Sequence, residues 1–396
     1  MKAENDLSQI NRDSLIEEIK KDIDNVIEEI NSYEKIRLLG AIGSTIDGGI
    51  KFLRPALPNV LETSVEYALS IATCFENHYD APIPSAEDMI NIFGKLEKIR
   101  EKYLNYILTE NNLNQYSYLE QSLRSRVIEN TLTVRGEGYR VHIDEVFLEL
   151  FDQHKHIFLK HYGFDPDSIL SVIEYLEEEL EHNKNLRDQE YKEFIKWMKG
   201  QDMRRLVMKY NYLPQDPFMF SQIYQLETLR IPRFKSVDDA FKFNIDDLTE
   251  SEREVIKELS TKFAENINFL NLKFNALPLN DTVITSKPIL FSPERNSYYL
   301  FSTRILHRNI FNIGEYLLKN ADNIYFQDVY LSKNKKGRST YFEEKVMSLI
   351  SNIIPKYKVY GNLKYRIEHT EYEIDTLLDL LRCKYFCNFA HYENIN

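Results

Sequence analysis

An aspartate near the end of the chain has the sequence setting of a metal ligand. In EYEIDTLL, residues 371–378, strand alternation puts Glu373, Asp375 and Leu377 on one face and Ile374 on the other. A carboxylate that shares a face with leucine inside an apolar strand is costly to bury unless it has a partner, and a divalent cation suits it. Asp375 is therefore a candidate ligand of a divalent cation.

The residues before this strand predict the elements that must position it. The stretch STYFEEKVMSLISNIIP reads as a helix, and KYKVYGNLKYRI after it reads as a strand. Helix periodicity places Glu343 with Met347 and Ile350, whereas Glu344 aligns with Ser348. We therefore expect Glu343 to point inward or along the core edge, and Glu344 to point to water.

This helix, strand and acid-bearing strand resemble the start of the PD-(D/E)xK nuclease core, the fold of many restriction and repair endonucleases. The resemblance lies in Phe342-Glu343 on the helix and Glu373-Ile374-Asp375 on the second strand, and it covers about a tenth of the chain. It implies that Glu343 and Asp375 are catalytic ligands of Mg²⁺, which activates water for attack on a phosphodiester. It also implies a third strand with an (E/Q)xK pair whose lysine assists.

The chain departs from the family pattern after Asp375. Lys384 is the candidate catalytic lysine, but Arg382 stands where an acid is expected, and a guanidinium repels Mg²⁺. Only 21 residues follow Asp375, whereas the remaining family elements need roughly 30. Since no Gly or Pro marks a turn, we expect the chain to stop or change reading frame within the nuclease core soon after Leu378.

A basic segment, KNKKGR at residues 333–338, immediately precedes the Glu343 helix. Such a segment is either a solvated linker or a contact with the nucleic-acid backbone, which its glycine would let it approach closely. The nucleic-acid-binding candidates are Lys333, Lys335, Lys336 and Arg338.

Structural alternatives accompany each of these interpretations. Glu343 and Asp375 are also explained as helix-cap or hairpin acids of an ordinary α+β domain. A helix would stack Cys383, Cys387 and His391 on one face, but their spacing is not a standard zinc pattern. The histidines between residues 142 and 161 are interpreted as ordinary surface or semi-buried side chains, and the glutamates after residue 173 as a solvated helix face.

The composition limits the class of protein. Hydrophobic residues make up 43% and charged residues 28% of 396 residues, which is typical of a globular protein. A net charge of −12 argues against binding nucleic acid with the whole surface. Three cysteines indicate a reducing compartment, so we expect a cytoplasmic protein, and no apolar stretch predicts membrane insertion. Motifs for nucleotide hydrolysis and dinucleotide binding are absent from the sequence.

The pattern along the chain predicts a predominantly α-helical α+β fold. The predicted domains are a helical region at 1–200, a mixed α+β region at 201–332 and a partial nuclease-like αββ segment at 339–396. Helices are expected from Leu15, over 59–77, from Ser85 toward Thr109, over 117–135 and 141–162, from 164 through His182, and over 303–319. A break is expected at 40–49, and a β-hairpin at 287–302.

Two functions of different classes follow. The first is a Mg²⁺-dependent DNA nuclease-like protein of bacterial-defence or mobile-element type, truncated and inactive unless the missing core elements are supplied. The second is a non-enzymatic helical module whose acidic amphipathic helices bind a partner protein and whose terminal acids are structural.

Overall fold

The computed structural model describes residues 12–46, 62–110, 139–199, 237–267, 282–353, 358–367, 370–380 and 383–387, and in the last three stretches the description concerns the main chain. Within these residues the chain is mostly helical and contains a small mixed four-strand sheet, which confirms the predominantly helical α+β class. No helix in the described ranges is long and apolar enough to cross a membrane.

The N-terminal helices are α1 (Arg12–Asn31), α2 (Lys35–Ile46), α3 (Glu62–Ala72) and α4 (Ala86–Glu110). The amphipathic pattern of α1 is confirmed, because one face of the helix is buried and packs mainly against α4. The buried residues of this face are Leu15, Ile19, Ile23, Val26 and Ile30.

The predicted start of α4 is also confirmed. The Ser85 main-chain N–H donates to Asp88 Oδ2 at 2.7 Å, and the Asp88 N–H donates to Ser85 Oγ at 3.2 Å. Asp therefore closes the reciprocal cap in place of the usual Glu.

Helix α2 corrects the predicted break at 40–49, because it continues through Gly40 and Gly43 to Ile46. A Cβ on Gly40 would lie 3.0 Å from Asp238 Cα, and one on Gly43 would lie 2.4 Å from the Phe301 carbonyl oxygen. These glycines allow close packing of the helix against other main chain and do not end it.

The next helices are α5 (Arg140–Phe151), α6 (Lys155–Tyr162) and α7 (Pro166–Lys199), with a 3₁₀ turn at Asp152–His154 between α5 and α6. The predicted helix over 141–162 is thus confirmed apart from that turn, and α7 runs well past its predicted end at His182. Asp165 Oδ1 caps α7 by accepting from the Ser168 N–H at 2.9 Å. The predicted helix at 117–135 lies outside the described residues.

A short 3₁₀ helix, Val237–Phe241, leads into the four-strand sheet. Its strands are β1 (Lys242–Phe243), β2 (Ser260–Thr261), β3 (Ile289–Ser292) and β4 (Ser297–Tyr299), with helices α8 (Glu250–Glu258) and α9 (Val283–Ser286) on either side of β2 in the chain. The order is β1-β4-β3-β2, and only β2 and β3 run parallel within this sheet.

The predicted hairpin is confirmed as β3 and β4. Asn296 in its turn has φ 45°, a left-handed conformation that asparagine tolerates better than most residues. The helix predicted at 303–319 forms as two helices, α10 (Thr303–Arg308) and α11 (Ile310–Ala321).

The C-terminal elements are α12 (Asn323–Tyr325), a π-helix at Phe326–Tyr330, α13 (Arg338–Ile353), β5 (Lys358–Ile367), β6 (Thr370–Leu380) and β7 (Cys383–Cys387). The last three strands form an antiparallel sheet in which β6 is central.

The chain falls into two compact units, each built from separated stretches. The first combines Met1–Phe147 with Tyr162–Tyr316, and the second combines Leu148–His161 with Leu317–Asn396. In the second unit, the Phe151 ring stacks on Tyr330 at 5.6 Å and meets Phe158 edge-on at 6.2 Å. The division into three consecutive domains stays a prediction.

Candidate functional site

The two predicted metal ligands lie on two elements of the second unit, α13 and β6, which are separated in the chain by β5. Glu343 is on α13 and is partly buried, whereas Glu344 is exposed, as the helix periodicity predicts. Asp375 is on the central strand β6, between the Leu363–Ile374 and Gly361–Thr376 pairs of the β5–β6 ladder. The description of β6 concerns its main chain, so joint binding of a cation by these two acids stays a prediction.

The strand β7 is a feature that the sequence analysis did not expect. It pairs with β6 from Leu380↔Cys383 to Thr376↔Cys387, so strand pairing continues beyond Leu378. Only residues 381 and 382 separate the two strands, and hairpins with two-residue connections are common. The connecting residues are Leu381 and Arg382, and neither is a typical turn residue, which is why the sequence did not reveal the strand.

The same register places Lys384 directly opposite Asp379. Asp379 lies four residues from Asp375, or about 14 Å along an antiparallel strand. The nearest acid across the ladder from Lys384 is therefore Asp379, and the predicted cooperation of Lys384 with Asp375 has no support in the register. Cys383 and Cys387 lie on this strand and not on a helix, and His391 is outside the described residues.

The predicted nucleic-acid contact, which we call the basic loop (residues 333–338), has a defined conformation. Its lysines and Arg338 are exposed, whereas Gly337 is buried. Asn334 organises the loop, since its Oδ1 accepts from the Lys336 N–H at 2.9 Å and its carbonyl accepts from the Gly337 N–H at 2.8 Å. A Cβ on Gly337 would lie 1.7 Å from the Ser332 carbonyl oxygen, so this position requires glycine.

The basic loop leads directly into α13. A helix N-terminus favours anions and disfavours cations, and here the loop brings Lys335, Lys336 and Arg338 to that end. Cations clustered at the N-terminus of a helix repel one another and the helix dipole, which destabilises the folded protein. A polyanion bound there would neutralise this repulsion.

His154 is a buried polar residue that sequence reasoning assigned to the ordinary histidines. It is fully buried in the second unit, and its Nδ1 shares a 2.9 Å hydrogen bond with the Tyr325 hydroxyl. Its ring meets Tyr325 and Tyr330 edge-on, at centroid distances of 5.6 and 5.4 Å. Nε2 is also buried and has no hydrogen-bond partner among the described residues.

The charge state of His154 follows from this setting. Burial lowers its pKa to about 4, and the positive charges of Lys336 and His156 act in the same direction, while the Lys336 main chain opposes them weakly. His154 is therefore neutral at neutral pH.

Helix α13 contacts the Leu148–His161 stretch of the second unit through Glu149. The Glu149 carboxylate accepts from the Tyr341 hydroxyl at 2.6 Å and from Lys345 Nζ at 2.7 Å. The Lys345 hydrogen bond, followed by that of Tyr341, lowers the pKa of Glu149. Because Tyr341 and Lys345 are four residues apart, they share one side of the helix, and both contact Glu149 from that side.

The first unit contains a buried ion network that the sequence analysis missed. Asp238 is fully buried and pairs with Arg37 Nη1 and Arg295 Nη1, both at 2.8 Å. Arg295 Nη2 also lies 3.4 Å from Glu34 Oε1, and Asn77 Nδ2 donates to the same oxygen at 3.1 Å. Burial raises the pKa of Glu34, although Asn77 and Arg295 oppose the shift.

Arg295 also lines a cleft of about 790 Å³ between α7 and the β3–β4 hairpin. The cleft carries both carboxylates, such as Glu179 and Asp246, and cations, such as Lys242. The mixed charges of the cleft favour no single class of ligand. The position of Arg295 is explained by its ion pairs with Asp238 and Glu34. We therefore interpret the network as structural.

Lys35 adjoins this network and gives a prediction about stability. It is fully buried, its Nζ has no hydrogen-bond partner among the described residues, and it lies 5.9 Å from the centroid of the Phe75 ring. Burial lowers the pKa of Lys35, although the charge of Glu34 opposes the shift. Lys35→Met is expected to raise the free energy of unfolding at neutral pH by about 1–3 kcal/mol, because it removes an unsatisfied buried donor.

The pH dependence of the free energy of unfolding tests whether the buried Lys35 amine is the cause. In the folded state Lys35 loses its proton at a lower pH than in the unfolded state, so the wild type should gain stability as pH rises between the two pKa values. Lys35→Met should lack this gain, measured by urea unfolding between about pH 7 and pH 10. Exposed Lys21 supplies the control, and Lys21→Met should change stability by no more than about 0.5 kcal/mol. A destabilised Lys35→Met variant would contradict the prediction.

Comparisons with known proteins assign no relative, since no protein-family model, curated protein or solved structure matches the chain. Within the residues whose placement is described, no group of three or more His, Cys, Asp or Glu side chains is arranged to hold a metal ion. The functional argument therefore rests on the chain's own residues.

Proposed function

We propose that the C-terminal part of the chain, from the basic loop onward, is a Mg²⁺-dependent DNA nuclease-like module of bacterial-defence or mobile-element type. The observation that carries the proposal is the order α13, β5, β6, β7, an antiparallel meander in which Asp375 occupies the central strand and Glu343 the preceding helix. The basic loop at the start of α13 adds a cationic surface where a phosphodiester would approach.

In this proposal the residues have separate roles. Glu343 and Asp375 would hold Mg²⁺, and the metal would supply the activated water and polarise the phosphoryl group. Lys333, Lys335, Lys336 and Arg338 would contact the DNA backbone and add affinity without reading sequence. Of these residues, Lys384 has the least support for a catalytic role, because the strand register pairs it with Asp379.

The experiment is cleavage of supercoiled plasmid and of single-stranded DNA with Mg²⁺ or Mn²⁺. Asp375→Ala should lower the cleavage rate by roughly 100-fold or more, since even residues outside the first coordination sphere of a metal contribute 10- to 100-fold. Glu343→Gln should act in the same direction.

Matched controls lie on the same elements. Asp379→Ala removes another acid of β6, and Glu344→Gln changes the exposed neighbour of Glu343, so both variants should cleave like the wild type. Cleavage that survives Asp375→Ala would refute the site assignment. A wild type that cleaves neither substrate with either metal would refute the activity.

The alternative is a non-enzymatic helical protein-interaction module, and one observation favours it. Phe342 and Leu349 are 42% and 51% exposed on α13, and residues seven apart share a helix face. Exposed apolar side chains on one helix face are available to contact a partner protein. The alternative predicts that Phe342→Ser with Leu349→Ser changes the association state in sedimentation while leaving folding intact.

A further inference from the structure

An aromatic side chain lies exposed one helical turn beyond the basic loop. Phe342 is 42% exposed on α13, so packing within the protein covers only part of its ring. The loop is continuous with the first turn of the helix, because the Tyr341 main-chain N–H donates to the Gly337 carbonyl oxygen at 3.0 Å. Arg338 and Phe342 are four residues apart on α13, a spacing that puts Cβ atoms about 5–6 Å apart on one face. The end of the cationic loop and the exposed ring therefore belong to one surface.

Phe342 also has an aromatic neighbour that is itself anchored. The rings of Tyr341 and Phe342 meet edge-on, with centroids 5.3 Å apart and an angle of 70° between their planes. The Tyr341 hydroxyl donates to Glu149 Oε2 at 2.6 Å, and Lys345 Nζ donates to the same oxygen at 2.7 Å. Contact with an anchored ring reduces the rotational freedom of Phe342, so a ligand that stacks on Phe342 has less side-chain entropy to remove.

An exposed ring beside clustered cations has the chemistry of a site for single-stranded nucleic acid. The exposed loop residues Lys333, Lys335 and Lys336 suit the phosphates of any nucleic acid. An aromatic ring adds affinity only for a base whose face is accessible, and bases inside a duplex are covered by their stacked neighbours. A surface that combines both features therefore favours unpaired over paired DNA.

We propose that Phe342 is a stacking platform for an unpaired base and that, together with the basic loop, it makes single-stranded DNA the preferred ligand of the C-terminal module. This inference deepens the proposed function and rests on it for the contact between the loop and DNA. It adds a binding residue outside the metal-ligand candidates and a substrate class that the loop charge alone does not select.

Leu349 distinguishes this site from a protein-interaction surface. It is the other exposed large hydrophobic residue among the described side chains of α13. Seven residues at 1.5 Å each place Leu349 about 10 Å from Phe342 along the helix axis, on the side away from the loop. A contact with an apolar protein surface would use both residues, whereas base stacking beside the loop requires Phe342 alone. Leu349→Ser is therefore the matched control.

The key variant is Phe342→Leu, which keeps an apolar side chain and removes the aromatic face. Phe342→Trp is the conservative variant, because an indole retains a stacking surface. Three fluorescein-labelled ligands separate bases from phosphates: an oligothymidylate strand, an abasic strand of the same length, and the duplex of the oligothymidylate with its complement. The abasic strand keeps the phosphates and lacks the bases.

The measurement is the affinity of the full chain for each ligand by fluorescence anisotropy in EDTA, which prevents cleavage. The wild type should bind oligothymidylate roughly 5- to 100-fold more tightly than the abasic strand, as expected for stacking of one base. At about 200 mM salt, where the phosphate contribution is reduced, it should also prefer oligothymidylate to the duplex. Phe342→Leu should lose most of both preferences, whereas Phe342→Trp and Leu349→Ser should retain them.

A second readout tests stacking without comparing affinities. Trp197 is the only tryptophan of the wild type, so Phe342→Trp adds one reporter at the site. Oligothymidylate should quench the added fluorescence, and the abasic strand should not. This readout also decides the matter if Phe342→Leu loses its cooperative unfolding transition. Equal wild-type affinity for oligothymidylate and the abasic strand, or an added tryptophan that oligothymidylate does not quench, would overturn the inference.

The proposed function fails by a different result. Lys335→Glu with Lys336→Glu reverses charge in the loop and leaves Phe342 in place. If that variant binds the abasic strand as tightly as the wild type does, or if the wild type binds no DNA, the loop is not a DNA contact and the inference falls with it. If the variant loses the abasic strand but the wild type shows no preference for oligothymidylate, the loop contact stands and the stacking platform is refuted.

Two other partners are outcomes of the same experiments. Binding to phosphatidylserine vesicles without a preference for oligothymidylate would assign the surface to an anionic membrane. An equal loss of self-association in Phe342→Leu and Leu349→Ser, again without that preference, would assign it to a second copy of the chain. Either result would overturn the inference.

Discussion

Asp238→Ala is expected to lower the free energy of unfolding by about 3–5 kcal/mol, because it leaves two arginines in a buried network without their shared carboxylate. Arg37 and Arg295 each lie 2.8 Å from Asp238, whose side chain is 1% exposed. Asp238→Asn should produce most of the same loss, since it preserves volume and removes the charge. Urea unfolding followed by circular dichroism would measure both.

The neighbouring acid is the control for this result. Asp239 is partly buried and lines the cleft, so Asp239→Ala should cost no more than about 1 kcal/mol. Equal effects of the two alanine substitutions would show that the network contributes nothing specific. If Asp238→Asn left the free energy of unfolding unchanged, the loss in Asp238→Ala would be due to packing and not to the lost charge.

Gly43→Ala is expected to destabilise the protein by about 3 kcal/mol, the upper end of the usual overpacking cost. The added methyl would lie 2.4 Å from the Phe301 carbonyl oxygen and 2.9 Å from Phe241 Cζ. The main-chain oxygen cannot rotate away, so α2 or the segment after β4 must move. This cost exceeds the gain of about 1 kcal/mol that alanine brings to a helix interior.

Gly94 gives a control of opposite sign. It lies in α4 with no heavy atom within 4 Å of the added Cβ, and it is exposed. Gly94→Ala should therefore raise the free energy of unfolding by about 0.5–1 kcal/mol. Thermal melts of the two variants beside the wild type would test the pair, and a Gly43→Ala protein as stable as Gly94→Ala would refute the close-packing explanation.

Local patterns predicted much of the fold because their causes are local. The buried face of α1, the Ser85 and Asp88 cap and the β3–β4 hairpin each depend on residues within a few positions of one another. Helix periodicity likewise placed Glu343 and Glu344 correctly.

The features that sequence reasoning missed depend on distant partners. Gly40 and Gly43 read as helix breakers because the main chain that they approach belongs to residues more than 190 positions away. Asp238 and Arg295 have no sequence signal of their own, since each acquires its role from the other and from Arg37. His154 is hidden for the same reason, because Tyr325 and Tyr330 come much later in the chain.

The candidate site was only partly predictable. The sequence indicated the helix, the two following strands and the acid-bearing position of Asp375, and the register then added β7 and assigned Lys384 to Asp379. The relative position of Glu343 and Asp375 depends on how α13 meets the sheet, which no local pattern encodes. The cleavage experiment addresses that question directly.

The division of the second unit between Leu148–His161 and Leu317–Asn396 has a consequence for synthesis in the cell. The first stretch leaves the ribosome roughly 150 residues before its companion, which at 5–20 residues per second is a delay of about 10–30 s. Throughout that interval Phe151, Phe158 and His154 lack the aromatic cover that Tyr325 and Tyr330 later provide. The nascent chain thus exposes these side chains until the second stretch has been synthesised.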